Sequence, residues 1–390
     1  MLKRNSSAYR NAIAALAFSS FLVFCNLYAV QPMLSLFSRH FQVSESIANW
    51  IFASGSLGLS CCLIPWAIFA DRFGRRIIIL SSLALTSLAS LMLFFSDSLS
   101  MWIALRILQG IALAGMPAVA VAYITEECEP NAVMSAVGIY IAANSIGGIS
   151  GRLIGGMLAE HFGSNSAMLF CAVVTTFGVV ATYRYLPKET QFSAQSLALN
   201  QIYRNLYRYI RNPLLWKAFL ISGICFGMFI NLFSVVGLRL EQAPWLFSTS
   251  QVSLLFLCYL GGTATASLAG RWSQRFGVIP SMLMGWAILT FGVVFTLSSS
   301  LLLIILGLLI CSIGFFLLHS LASAWVGKNA GNARALASAL YLSSYYLGAS
   351  LGGFYLLYFY QTMSWISVPL SAITLLLAIP LLIWGLIKSK

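Results

Sequence analysis

Twelve apolar runs of about 20 residues or more follow one another along the chain, each long enough as a helix to cross a hydrocarbon core of roughly 30 Å. They fall at 11–38, 46–70, 77–96, 99–125, 131–159, 165–186, 213–238, 249–271, 279–298, 300–325, 334–360 and 364–387. A backbone in lipid must satisfy its own hydrogen bonds, so every run is expected to be helical. The fold class is therefore all-α and integral to the membrane, with twelve transmembrane helices. A chain with 60% hydrophobic and only 8% charged residues is not an ordinary soluble protein. The first run stands behind Lys3, Arg4 and Arg10 as the core of a secretory signal would, but its length and the eleven runs after it make it an uncleaved span.

The net charge of +13 would point to nucleic acid in a soluble protein, so the placement of the charges decides its meaning. With both termini in the cytoplasm, all but four of the 22 basic residues, from Lys3 and Arg4 to Lys388 and Lys390, lie inside. Arg39 and Arg239 fall outside, and Arg106 and Arg152 fall within spans. That bias sets topology by the positive-inside rule, and no nucleic-acid partner is implied. Of the eight cysteines only Cys128 lies outside a span, and no C-x-x-C pair or Cys/His cluster occurs. Neither a disulfide framework, a metal site nor another cofactor is expected. The absence of G-x-x-x-x-G-K-[ST], G-x-S-x-G and H-E-x-x-H leaves ATP hydrolysis and enzyme activity without support.

One long polar connection, 187–212, separates an N-terminal six-span bundle (1–186) from a C-terminal one (213–390). Arg204, Arg208 and Arg211 share one helical face of this linker, and Tyr203, Leu206, Tyr207 and Ile210 another. That pattern fits either an amphipathic helix on an anionic inner leaflet or a solvated tether. The halves also repeat each other. "ADRFGRR" (70–76) is matched by "SQRFGVI" (273–279), and "IYIAANSIGGISG" (139–151) by "LYLSSYYLGASLG" (340–352), at offsets of 203 and 201. Two near-equal offsets indicate a duplicated six-helix unit in parallel orientation.

Gly147, Gly151 and Gly155 recur every four residues and form a smooth ridge on span five, where another backbone can approach closely. Span eight carries Gly262 and Gly270, and span eleven Gly348 and Gly352. Arg106 and Arg152 lie roughly 11 Å below the outer surface at 1.5 Å per residue. A charge at such a depth either meets a solute, pairs with backbone carbonyls or snorkels outward. All nine acidic residues fall at span ends or in loops, so no central carboxylate neutralises these arginines. His319 is the one histidine well inside a span, where it serves either proton exchange or packing.

"ADRFGRR" after span two and "RILQG" (106–110) in span four resemble two signatures of the major facilitator superfamily. The run Gly138, Gly147, Gly151, Arg152, Gly155 and Gly156 is similar to the glycine-rich motif of its proton-driven exporters, with Arg152 where proline normally stands. "NSIGGISGRLIGG" and "LLHSLASAWVG" further resemble a bacterial inner-membrane branch of the superfamily, the YnfM-type or arabinose-efflux-permease-like transporters. The resemblance implies two pseudo-symmetric six-helix bundles in a monomer of the bacterial inner membrane. It implies that spans five with eight, and two with eleven, cross between the bundles through Gly147, Gly151, Gly155, Gly262, Gly270, Gly348 and Gly352. It also implies a cavity lined by spans one, four, seven and ten, with Asn26, Tyr28, Gln31, Arg106, Gln109, Asn231, His319 and Ser323 as its polar groups, and Arg152 nearby. Asp71, Arg72, Gly74, Arg75 and Arg76 would form an inner gate, with Asp71 facing the start of span eleven near Asn332. The function expected is proton-coupled efflux of a small organic solute. Uptake or facilitated passage of an anionic metabolite, met by Arg106 and Arg152, is the alternative, and a non-transporting receptor is the reading from another class.

Overall fold

The apolar runs fold as helices throughout the computed structural model of the protein, which describes residues 2–4, 6–190, 192, 199–331 and 334–387. Eleven helices among these residues are long and apolar enough to cross a membrane. In the first half they are α1 (Ser7–Phe41), α2 (Glu45–Phe73), α3 (Arg75–Phe94), α4 (Leu99–Glu127), α5 (Pro130–Phe162) and α6 (Ser164–Tyr185). The second half contributes α7 (Pro213–Leu240), α8 (Thr249–Phe276), α9 (Val278–Phe295), α10 (Leu301–Asn329) and α12 (Ser367–Leu386). The run at 334–360 forms α11 (Arg334–Thr362), whose 29 residues complete the twelve. Asn332, Lys388 and Lys390 lie outside the described residues.

The chain divides into two units, Met1–Val43 with Trp50–Leu197 and Ser44–Asn49 with Ala198–Lys390. In the first, α1 packs on α5 and α6, and α2 on α4; in the second, α7 packs on α11, and α8 on α10. The same pairs thus form in each unit, as a duplicated architecture requires. The repeated "RFG" has a backbone reason. Gly74 and Gly277 end α2 and α8 with φ of 95° and 85°, a conformation that costs a side chain dearly and glycine little.

The glycine ridges are used within the units, where each meets another helix of the same half. A Cβ at Gly147, Gly151 or Gly155 would collide with the carbonyl oxygens of Phe21, Cys25 and Ala29 on α1. In the second unit, Gly348 and Gly352 meet the backbone of Gly223 and Gly227 on α7 in the same manner. Gly262 faces Phe316 and the Ser312 carbonyl on α10, and Gly270 has nothing within 4 Å of its Cβ position. The equivalent α1–α5 and α7–α11 contacts are close backbone approaches that leave no room for larger residues.

Helix α1 is bent. Its first segment ends at Tyr28, and a short 3-10 turn, Gln31–Met33, leads into Leu34–Phe41. Pro32 accounts for the interruption, because it has no N–H to give the Tyr28 carbonyl and its ring crowds that carbonyl. The linker forms a helix at Leu199–Ile210. Tyr209 docks it by donating to the Ala330 carbonyl at 2.6 Å, while Tyr207 and Ile210 are exposed.

Candidate functional site

The bend in α1 leaves main-chain carbonyls without helical donors, and a buried arginine supplies them. Arg106, fully buried on α4, donates from Nη2 to the Leu27 carbonyl at 2.9 Å and from Nη1 to the Asn26 carbonyl at 3.3 Å. Its Nε donates to the Ile51 carbonyl on α2 at 3.0 Å, and Nη1 also bonds Gln109 Oε1. The guanidinium caps a broken helix end, where a positive charge is favoured by the helix dipole. Gly55 makes the space, since a Cβ there would stand 2.6 Å from Nη2.

A closed polar network surrounds this cap. Gln109 Nε2 donates to Ser90 Oγ at 2.7 Å, and Ser90 Oγ donates to Asn26 Oδ1 at 2.7 Å. Asn26 Nδ2 reaches Thr175 Oγ1 on α6 at 2.9 Å. Asn26, Arg106 and Gln109 thus join α1, α3, α4 and α6 inside one unit. Their polar atoms meet protein partners, and Arg106 pairs with backbone carbonyls, one of the arrangements open to an intramembrane arginine.

Arg152 on α5 converges on the same segment of α1. Its Nε donates to Gln31 Oε1 at 2.7 Å, its Nη1 to the Gly148 carbonyl at 2.8 Å, and its Cζ lies 3.9 Å from the centre of the Tyr28 ring. Arg152 is 1% exposed and Gln31 3%. The two arginines therefore bracket residues 26–31, one holding carbonyls and the other a ring and an amide. A cation over a desolvated aromatic face is worth about 2 kcal/mol, which helps to stabilise Arg152 at this depth.

The second unit has a different interior. Two hundred and one positions after Arg152 stands Gly353, and the region of the arginine network is filled by rings. Phe229 stacks on Phe315 at 4.1 Å between centroids, and Phe226 on Tyr345 at 3.5 Å. His319 on α10 lies against this cluster, 4.7 Å from Tyr345 and 5.6 Å from Phe315 between ring centres. Its Nδ1 is 3.0 Å from the Tyr341 hydroxyl. Ser323, one turn later on α10, is half-buried. Asn231 instead clasps two helices, donating to the carbonyls of Gly227 at 2.8 Å and Ala349 at 2.9 Å.

At the positive end of the first unit, Arg75 pairs with Asp71 at 2.6 Å and Glu126 at 3.0 Å. Arg72 sits over Phe73. Arg76 Nε and Nη2 donate to the carbonyls of Leu186 and Tyr183 at 2.8 and 2.7 Å. The linker adds a residue that sequence reasoning missed: Glu189 Oε1 accepts from Arg76 N at 2.8 Å and so caps α3 beside Gly74. Glu127 accepts from Thr190 N and Oγ1, fastening the same stretch of linker to α4. Acceptors for the first-turn N–H groups are a general need of helices, and an acidic residue in a following loop was the available signal.

A profile of the Major Facilitator Superfamily matches residues 16–262. The inner membrane transport protein YnfM of Escherichia coli (strain K12) is 34% identical over 382 residues, covering 98% of this chain and 91% of that protein. The uncharacterized MFS-type transporter YybF of Bacillus subtilis (strain 168) is 31% identical over 384 residues, covering 98% and 95%. Among solved structures, the nucleoside transporter NupG is similar at a TM-score of 0.76 and 15% identity, over 95% of this chain and 99% of that one, a likeness of fold alone.

Proposed function

This chain belongs to the major facilitator superfamily, and from that premise we propose that it exports a small, largely apolar organic solute from the bacterial cytoplasm in exchange for protons. It is a multi-pass membrane transporter and not an enzyme. The observation that carries the choice of solute is the contrast between the units. The arginines of the first are held by its own carbonyls, amide and ring, whereas in the second a half-buried imidazole and the half-buried ring of Tyr345 stand over the buried rings of Phe226 and Phe315. A few polar groups among many rings is the make-up of a small-molecule site. The anionic-substrate reading depended on Arg106 and Arg152 meeting the solute, and it is not carried forward.

His319 is our choice for the proton carrier, with Tyr341 as its hydrogen-bonding partner. The efflux direction rests on the likeness of 138–156 to the exporter motif, and cytoplasmic termini on the distribution of basic residues. The test uses purified protein in sealed proteoliposomes with a planar aromatic dye outside or inside and a pH indicator in the lumen. Expected is dye flux that moves protons in the opposite direction, with His319→Gln abolishing the proton movement while dye exchange persists. Dye flux unaccompanied by protons in the wild type would overturn the coupling, and transport confined to carboxylated solutes would overturn the solute class.

A further inference from the structure

Between α3 and α6 the first unit carries a groove of about 380 Å³ lined by Leu80, Ser81, Ala84, Val179, Val180 and Tyr183. Both helices are spans, so its open side faces the hydrocarbon region. Leu80 and Ala84 are five and nine residues from the start of α3 at Arg75, so at 1.5 Å per residue the groove lies about 7 to 13 Å in from that helix end. Its floor is small-sided where Ser81 and Ala84 stand, and its wall is Tyr183.

The mouth of this groove is cationic. Arg76 donates to the main-chain oxygen of Tyr183, and its Cζ lies 5.3 Å from the ring that lines the groove. Arg184 and Lys188 are exposed beside it, and the carboxylates at this end are engaged: Glu189 with Arg76 N, Glu127 with Thr190, and Asp71 and Glu126 with Arg75. Arg76, Arg184 and Lys188 stand where lipid headgroups lie, above an apolar channel of acyl-chain width. We propose that this groove binds one anionic phospholipid of the cytoplasmic leaflet, its acyl chain along Ala84 and Val180 and its phosphate at Arg76, Arg184 and Lys188. The site rests on the inward placement of these basic residues and is independent of the solute or the direction of transport.

Anionic headgroups are attracted by roughly fivefold in affinity for each basic side chain near the surface, while the acyl chain supplies the contact with the groove. The experiment is native mass spectrometry of the full chain in detergent, titrated with phosphatidylglycerol, with phosphatidylcholine of the same chains, and with glycerol phosphate. Expected is one saturable phosphatidylglycerol, bound at least about fivefold more tightly than phosphatidylcholine, and no retention of glycerol phosphate. Ala84→Phe fills an exposed channel position and should remove the bound lipid. Arg184→Gln with Lys188→Gln should weaken phosphatidylglycerol binding at least about fivefold and leave phosphatidylcholine binding unchanged, while both variants keep the wild-type melting temperature. Equal binding of the two lipids, retention of glycerol phosphate alone, or lipid bound undiminished to Ala84→Phe would each overturn the site.

Discussion

Arg106 shows how an intramembrane charge can be spent on architecture. It donates to carbonyls at Asn26, Leu27 and Ile51, groups that no side-chain pattern advertises. Its depth was legible in the sequence, but the bend at Pro32 and the carbonyls that it leaves over were not read from it, because every residue has a carbonyl and only geometry says which are left over. Arg106→Gln should lower thermal stability by about 1–3 kcal/mol, the cost of stranding buried acceptors. Lysine should restore only part, since an ammonium cannot spread over three carbonyls as a guanidinium does. Solute affinity of the folded fraction should stay at the wild-type value in both. A loss of affinity at unchanged melting temperature would return Arg106 to the solute. For Arg152, Tyr28→Leu should destabilise by up to about 2 kcal/mol through loss of the ring beneath the cation, read in the same melting experiment.

At the scale of helices, spacing showed that α5 has a smooth face but not which helix fills it. The signal for the true partner was present in span seven, where Gly223 and Gly227 stand four apart and match Gly348 and Gly352. In α1 the equivalent positions are Phe21 and Cys25, so the partner surface is backbone and leaves no small-residue trace. Gly151→Leu and Gly348→Leu should each destabilise their own unit by about 1–3 kcal/mol or more, because the atoms in the way are main chain. Gly270→Leu should melt as wild type, its Cβ position being open. Expression level and melting temperature in detergent check all three, and a melting temperature for Gly151→Leu equal to that of Gly270→Leu would contradict the packing described. The turn glycines are a simpler case. Gly74→Ala and Gly277→Ala force a side chain into positive φ and should cost about 1 kcal/mol or more apiece.

Over the whole molecule, the number of spans and the duplication could be read from hydropathy and two offsets, since bilayer thickness and helix geometry leave few other solutions. What could not be read is how far the copies have diverged inside: arginines, Asn26 and Gln109 in the first unit, stacked rings and His319 in the second. Reporter fusions at Cys128 and Lys188 should signal cytoplasm, and those at Asp97 and Gln242 the outside, as the basic residues dictate. An outside signal at Lys188 would invert the topology and with it the leaflet facing the α3–α6 groove. Arg106 ties the end of the first segment of α1 to α4 and to the Ile51 carbonyl of α2, so that end can shift only if three helices shift together. The elbow of α1 is thus a braced joint, a fixed angle set by one charge and the oxygens around it.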